Sequence, residues 1–187
     1  MTENKLDFDL DFLESKSNKA KNNYFKDSTF KEAFYEISNT KLIMLSVFTL
    51  GFFEIYWFYR QWKFIEKVKN LKLTPWARGL FAPLFAYSLF KYIFELSKDA
   101  GEKQTPSAGW LAAGYFILAS MGRFPGWAWL ISIASFWPLI PVQNHINQLF
   151  NKKYSNGATS TTFNWKEVVV MIIGGIILLL ALFGGSS

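Results

Sequence analysis

Cysteine is absent from the 187 residues, which excludes disulfides, thiolate metal centres and cysteine nucleophiles. A single histidine, His145, excludes any site that needs two imidazoles from one chain. Charge is scarce: Asp, Glu, Lys and Arg make up 18% of residues, below the roughly 25% of ordinary soluble domains. The chain also lacks a P-loop, a G-x-S-x-G elbow, an H-E-x-x-H helix and any paired-carboxylate spacing, so no cofactor, metal ion or reaction class is indicated. Between Met1 and Lys41 there is no apolar run behind a basic start, so no secretory signal is expected.

What remains is apolar and aromatic. Hydrophobic residues reach 51%, with 20 Phe, 8 Trp and 8 Tyr, a mix typical of a membrane protein. The net charge of +6 divides unevenly, into −2 over residues 1–40 and +8 over residues 41–187. The basicity therefore belongs to the hydrophobic part.

Val168 to Phe183 carries no charge, and Trp165 precedes it as an interfacial anchor. At about 1.5 Å per residue the stretch from Trp165 has the length of a bilayer span. Ala108 to Met121 and Gly126 to Val142, separated by Gly122-Arg123-Phe124-Pro125, suggest a transmembrane hairpin. Pro138 and Pro141 lack an N–H and free the carbonyls of Ala134 and Trp137, so a kink or stop is expected there. Beyond it, Val142, Ile146, Leu149 and Phe150 oppose Gln143, Asn144, His145 and Asn147 at helical spacing, which predicts a short helix lying in the interface. Ala77 to Leu96 is expected to span, with Arg78 near one end and Lys91 and Glu95, an i, i+4 pair, near the other.

Leu42 to Tyr59 is open to two readings. Its apolar residues favour insertion, Glu54 opposes it, and Gly51 near the middle would permit a re-entrant bend. The expected fold is an all-α membrane protein with about five hydrophobic helices, four spanning and the first spanning or re-entrant, plus short interfacial amphipathic helices.

Arg60 to Leu71 reads as a basic amphipathic helix, with Arg60, Lys63, Lys67, Lys69 and Lys72 as candidate lipid-headgroup contacts. A solvated juxtamembrane loop would carry the same charges, and nucleic-acid binding is not favoured because insertion alone produces such a loop. In the tail, residues 1–28 are expected to be disordered. Leu6 to Phe12 within them alternates apolar and acidic residues, a pattern suited to docking on a protein partner. Residues 29–40 open with a capping pattern, Thr29-x-x-Glu32, and predict an amphipathic surface helix. Residues 41–185 would form the transmembrane domain.

Thr49-Leu50-Gly51-Phe52-Phe53-Glu54-Ile55-Tyr56-Trp57-Phe58-Tyr59-Arg60 resembles the T-L-G-x-Y-x-x-Y-W-F-Y motif of small bacterial inner-membrane proteins grouped as a domain of unknown function. Pro75 to Pro83 and Pro138 to Asn147 look like that family's other recurring parts. Phe53 stands where the pattern usually has Tyr, and Glu54 adds a charge it does not require. The resemblance covers about residues 41–183 and implies a multi-pass bacterial inner-membrane protein, without supplying an activity. The distribution of Lys and Arg would place the N-terminus in the cytoplasm.

Ionisable groups within apolar runs are candidate functional groups. Glu54 is expected to be neutral or paired with Arg78, Lys91 or Arg123. Lys91 and Glu95 are expected to satisfy each other. His145 is more often a filler than a base. Three roles follow: a non-enzymatic component that interacts with membrane lipids or a protein; a small oligomeric transporter or channel component using Glu54; and a lipid-acting enzyme using His145 or Glu54.

Overall fold

The long apolar runs of this sequence break where their backbone turns. In the computed structural model, which describes residues 35–102, 105–124, 128–153 and 161–183, the first run forms two helices, α1 (Asn39–Phe48) and α2 (Phe52–Lys69). Between them Leu50 (φ 54) and Gly51 (φ 86) both take left-handed conformations, a pairing that ends one helix and starts another. Thr49 joins the two pieces: its hydroxyl donates to the Leu45 carbonyl at 2.7 Å and accepts the Phe53 N–H at 2.9 Å.

Two further runs are interrupted by other means. Ala77 to Leu96 is divided at Phe81 into α3 (Pro75–Leu80) and α4 (Ala82–Asp99), each with a proline in its first turn, where the missing N–H costs nothing. The run from Gly126 becomes α6 (Ala128–Ser132), a 3₁₀ turn (Ile133–Phe136) and, after Pro138, α7 (Leu139–Lys153). The carbonyls freed by the two prolines are taken up one residue early: Trp137 N–H reaches Ala134 O at 3.0 Å, and Ile140 N–H reaches Trp137 O at 3.3 Å. Only α5 (Ala108–Met121) and α8 (Trp165–Phe183) run unbroken through their apolar stretches.

All regular elements of the described residues are helical. Among those residues, however, no helix is long and apolar enough to cross a membrane. This overturns the expected multi-pass inner-membrane placement and its cytoplasmic N-terminus. The reason is visible in the breaks. α5 has 14 residues, α4 carries Lys91, Glu95, Lys98 and Asp99, and the first turn of α8 holds Lys166 and Glu167. The charge-free part of α8 from Val168 covers only about 24 Å, against roughly 30 Å of hydrocarbon.

The core lies where α2, α4 and α7 meet. Trp57, Phe58, Trp62 and Ile65 of α2 are buried with Leu89, Phe90 and Ile93 of α4 and Leu139, Val142 and Ile146 of α7. Each fully buried large side chain contributes about 1.5–3 kcal/mol. The basic amphipathic helix expected over Arg60 to Leu71 therefore forms as the second half of α2, ending at Lys69, with its apolar face in the core. Phe64 and Ile65 are buried, whereas Leu71 lies outside the helix and is exposed. α3 packs closely on α2 at Gly79, where a Cβ would stand 3.0 Å from Ile55 O and Tyr59 N.

The tail segment 1–28, including Leu6 to Phe12, lies outside the described residues, as does most of the expected surface helix over 29–40. Its end, Tyr35 to Ser38, is non-helical and leads into α1, whose first turn is capped by the Ser38 hydroxyl accepting Lys41 N–H at 3.1 Å.

Candidate functional site

Glu54, third residue of α2, is 2% exposed. The Ser135 hydroxyl, brought in by the 3₁₀ turn, lies 2.7 Å from one carboxyl oxygen and 2.9 Å from the other, and the Tyr115 hydroxyl from α5 hydrogen-bonds to the same group. Burial pushes the carboxyl up to about 7, against the opposing pull of the two hydroxyls. Tyr115 is held well above the ordinary tyrosine range, first by its own burial and then by the neighbouring carboxyl, so it remains a donor.

None of the cations expected beside Glu54 is its partner. Arg78 stacks over Trp62 at 4.4 Å and Phe85 at 5.2 Å, while Lys91 and Arg123 are exposed. Glu95 pairs with Lys69 of α2 at 3.8 Å instead of with Lys91. The arrangement around Glu54 is a three-element polar knot that can hold or release one proton near neutrality.

A second buried network involves residues whose periodicity suggested an interfacial face. Gln143 is fully buried, accepting Trp57 Nε1–H at 2.7 Å and donating to Asn147 Oδ1 at 2.8 Å and Tyr35 O at 3.3 Å. Asn147 in turn donates to Ile37 O at 2.9 Å. The tail end is thus fastened onto α2 and α7. His145 is also buried, edge-on to Phe94 at 5.1 Å, with Nδ1 unpartnered and its basicity lowered by burial. Asn144 alone of the four is exposed, donated to by Asn39 at 2.7 Å. The helix at 139–153 is a core element and not an interfacial one.

Several basic residues of α2 lie over aromatic rings. Arg60 lies 4.7 Å over the Tyr35 ring and donates to the Tyr56 hydroxyl at 3.3 Å; Lys69 lies 5.7 Å over Tyr92. Lys63 lies 5.8 Å over Tyr59 and is exposed, as are Lys67 and, beyond the helix, Lys72. Among the described residues no group of three or more His, Asp or Glu side chains is placed to hold a metal ion.

Lys41, which sequence reasoning treats only as a countable charge, is buried and ties α8 to α1. Its ammonium meets Glu167 at 2.9 Å and Thr162 O at 3.0 Å. At the far end of that contact Gly174 sits so close to α1 that a Cβ would fall on the Phe48 carbonyl. The signal available in the sequence is the Gly174-Gly175 pair inside an otherwise large-residue helix.

Comparison with known proteins adds no relative: no family model matches the chain, and no curated protein or solved structure is significantly similar to it.

Proposed function

We propose that this is a non-enzymatic, lipid-interacting protein whose uncovered apolar surface is coated by acyl chains. The observation that carries this reading is the exposure of α8. Val168, Val169, Val170, Ile172, Ile173, Ile176, Ile177, Leu179, Leu180 and Phe183 are between 39% and 73% exposed. At about 100° per residue they cover an arc of about 200°, while Met171, Gly174, Gly175 and Leu178 take the remaining side towards the body. A helix docked on a protein buries a stripe of about 100°. An arc twice that wide suits a fluid hydrocarbon, which needs no matching shape.

Other exposed apolar side chains extend the same chemistry, among them Trp110 at 80%, Leu84 and Phe116. Apolar patches of this kind mark interaction surfaces. The cations of α2 favour anionic headgroups. Flotation of the full chain with anionic liposomes tests the reading: the protein should rise with the vesicles, and protein left at the bottom of the gradient would contradict it.

The alternative use of Glu54 in transport or lipid chemistry has less support. Its carboxyl is enclosed by hydroxyls, and His145 packs against Phe94, away from those groups.

A further inference from the structure

Between α8 on one side and α1 and α2 on the other runs a cleft of about 900 Å³, at the upper end of the range for small-molecule sites. Its two ends differ in chemistry. One is lined by Arg60, Tyr35, Asn164 and Lys166, the other by Phe52, Phe53, Val170, Ile173 and Ile177. The segregation follows from topology. α1 and α8 are clamped by Lys41 and Glu167 at the polar end and by Phe48 and Gly174 further along, and α2 turns back at Gly51 so that Arg60 returns towards Tyr35.

We infer that this cleft binds one anionic phospholipid, its phosphate held by Arg60 and Lys166 and one acyl chain laid along Phe53, Val170, Ile173 and Ile177. The inference rests on the lipid-interacting reading above and makes it specific. Three observations support it.

The first is charge. Among the described residues neither Arg60 nor Lys166 has a carboxylate partner, whereas Glu167, the acid lining the same end, is already neutralised by Lys41. Arg60 is also oriented, its guanidinium packed on the Tyr35 ring and hydrogen-bonded to Tyr56, which leaves further N–H donors in a planar fork suited to phosphate. The second is length. From Glu167 to Ile177 the α8 wall runs about 15 Å, half of the roughly 30 Å hydrocarbon thickness and so the reach of one acyl chain. The third is continuity. Ile173, Ile177 and Phe52 belong both to the cleft and to the exposed apolar surface, so a chain can enter sideways from surrounding lipid.

The test uses the purified full chain in a neutral detergent, titrated with phosphatidylglycerol, phosphatidylcholine or a free fatty acid and read by native mass spectrometry. Wild type should retain one phosphatidylglycerol in preference to the other two. Arg60→Gln should weaken retention at least tenfold through loss of charge-assisted hydrogen bonds to phosphate. Ile173→Trp, which fills the apolar end, should abolish it. Both variants should keep the wild-type helical content. Flotation without selective retention would overturn the cleft assignment while leaving the general reading intact; failure of flotation as well would remove both. Equal retention in wild type and both variants, preference for the fatty acid, or cross-linking of residues 6–12 into the lipid-free cleft would each overturn the assignment.

Discussion

The indole N–H of Trp57 donates to the side-chain oxygen of Gln143 at 2.7 Å, across a sequence separation of 86 residues and with both side chains fully buried. The contact joins two of the three segments 49–60, 138–147 and 75–83. The third meets α2 through Gly79 against Tyr59 and Arg78 over Trp62. These segments therefore serve the packing of α2 against its neighbours. Gln143→Leu should leave the Trp57 N–H unpaired in the core and remove one of the two amide donors to the Tyr35 carbonyl, Gln61 keeping the other, at about 1–3 kcal/mol of stability. Chemical denaturation measures this, with exposed Asn144→Ala as the control expected to change little.

Glu54 should make stability depend on pH. Its folded-state value of about 7 lies above the ordinary 4.5, so between these values the folded chain binds more protons than the unfolded one. Stability is then fullest below pH 4.5 and is lost as pH rises towards 7, by about 3 kcal/mol for a shift of this size. Glu54→Gln keeps an acceptor for Ser135 and cannot ionise. It should flatten the profile and be the more stable protein above about pH 7, as followed by thermal unfolding from acid to mildly alkaline pH.

Gly174→Leu should separate α8 from α1, because its side chain would occupy the place of the Phe48 carbonyl. Overpacking of this kind costs about 1–3 kcal/mol. Hydrogen exchange should show faster exchange confined to residues near the contact, with α2, α4 and α7 unchanged. Uniform acceleration throughout the chain would argue against a local clamp.

Replacing Lys63, Lys67 and Lys72 together with Gln should weaken binding to anionic liposomes, since each cation near such a surface contributes about 1 kcal/mol. The difference should shrink at high salt. Lys69, paired with Glu95, should contribute less when replaced alone.

The features legible in the sequence are those set by local pattern. The charge-free run behind Trp165 marks α8, and Pro138 marks the break before α7. Gly51 shows where the first run can bend, but not that Leu50 joins it in a left-handed conformation or that Thr49 binds both helices together. Hydropathy alone merges α3 with α4, because Phe81 is as apolar as the helices it separates. The surroundings of Glu54 are not legible: Ser135 lies 81 residues away, and nothing local marks a serine as the partner of a carboxyl. Periodicity also places Gln143 and His145 on an outer face, whereas the buried side of α7 is wide enough to take in both and, among the described residues, only Asn144, Gln148, Asn151 and Lys152 stay exposed.

Spin labels introduced one at a time along α8 test the central claim most directly, and the absence of native cysteine makes single-cysteine labelling clean. With the protein bound to liposomes, labels at positions 168, 169, 170, 172, 173, 176 and 177 should all be relaxed by lipid-soluble oxygen more than by a water-soluble nickel chelate. Labels at 171 and 178, which face the body, should be shielded from both. Preferential relaxation by the nickel chelate across the exposed arc, or immobilisation of half of it against another protein surface, would contradict a coating of acyl chains.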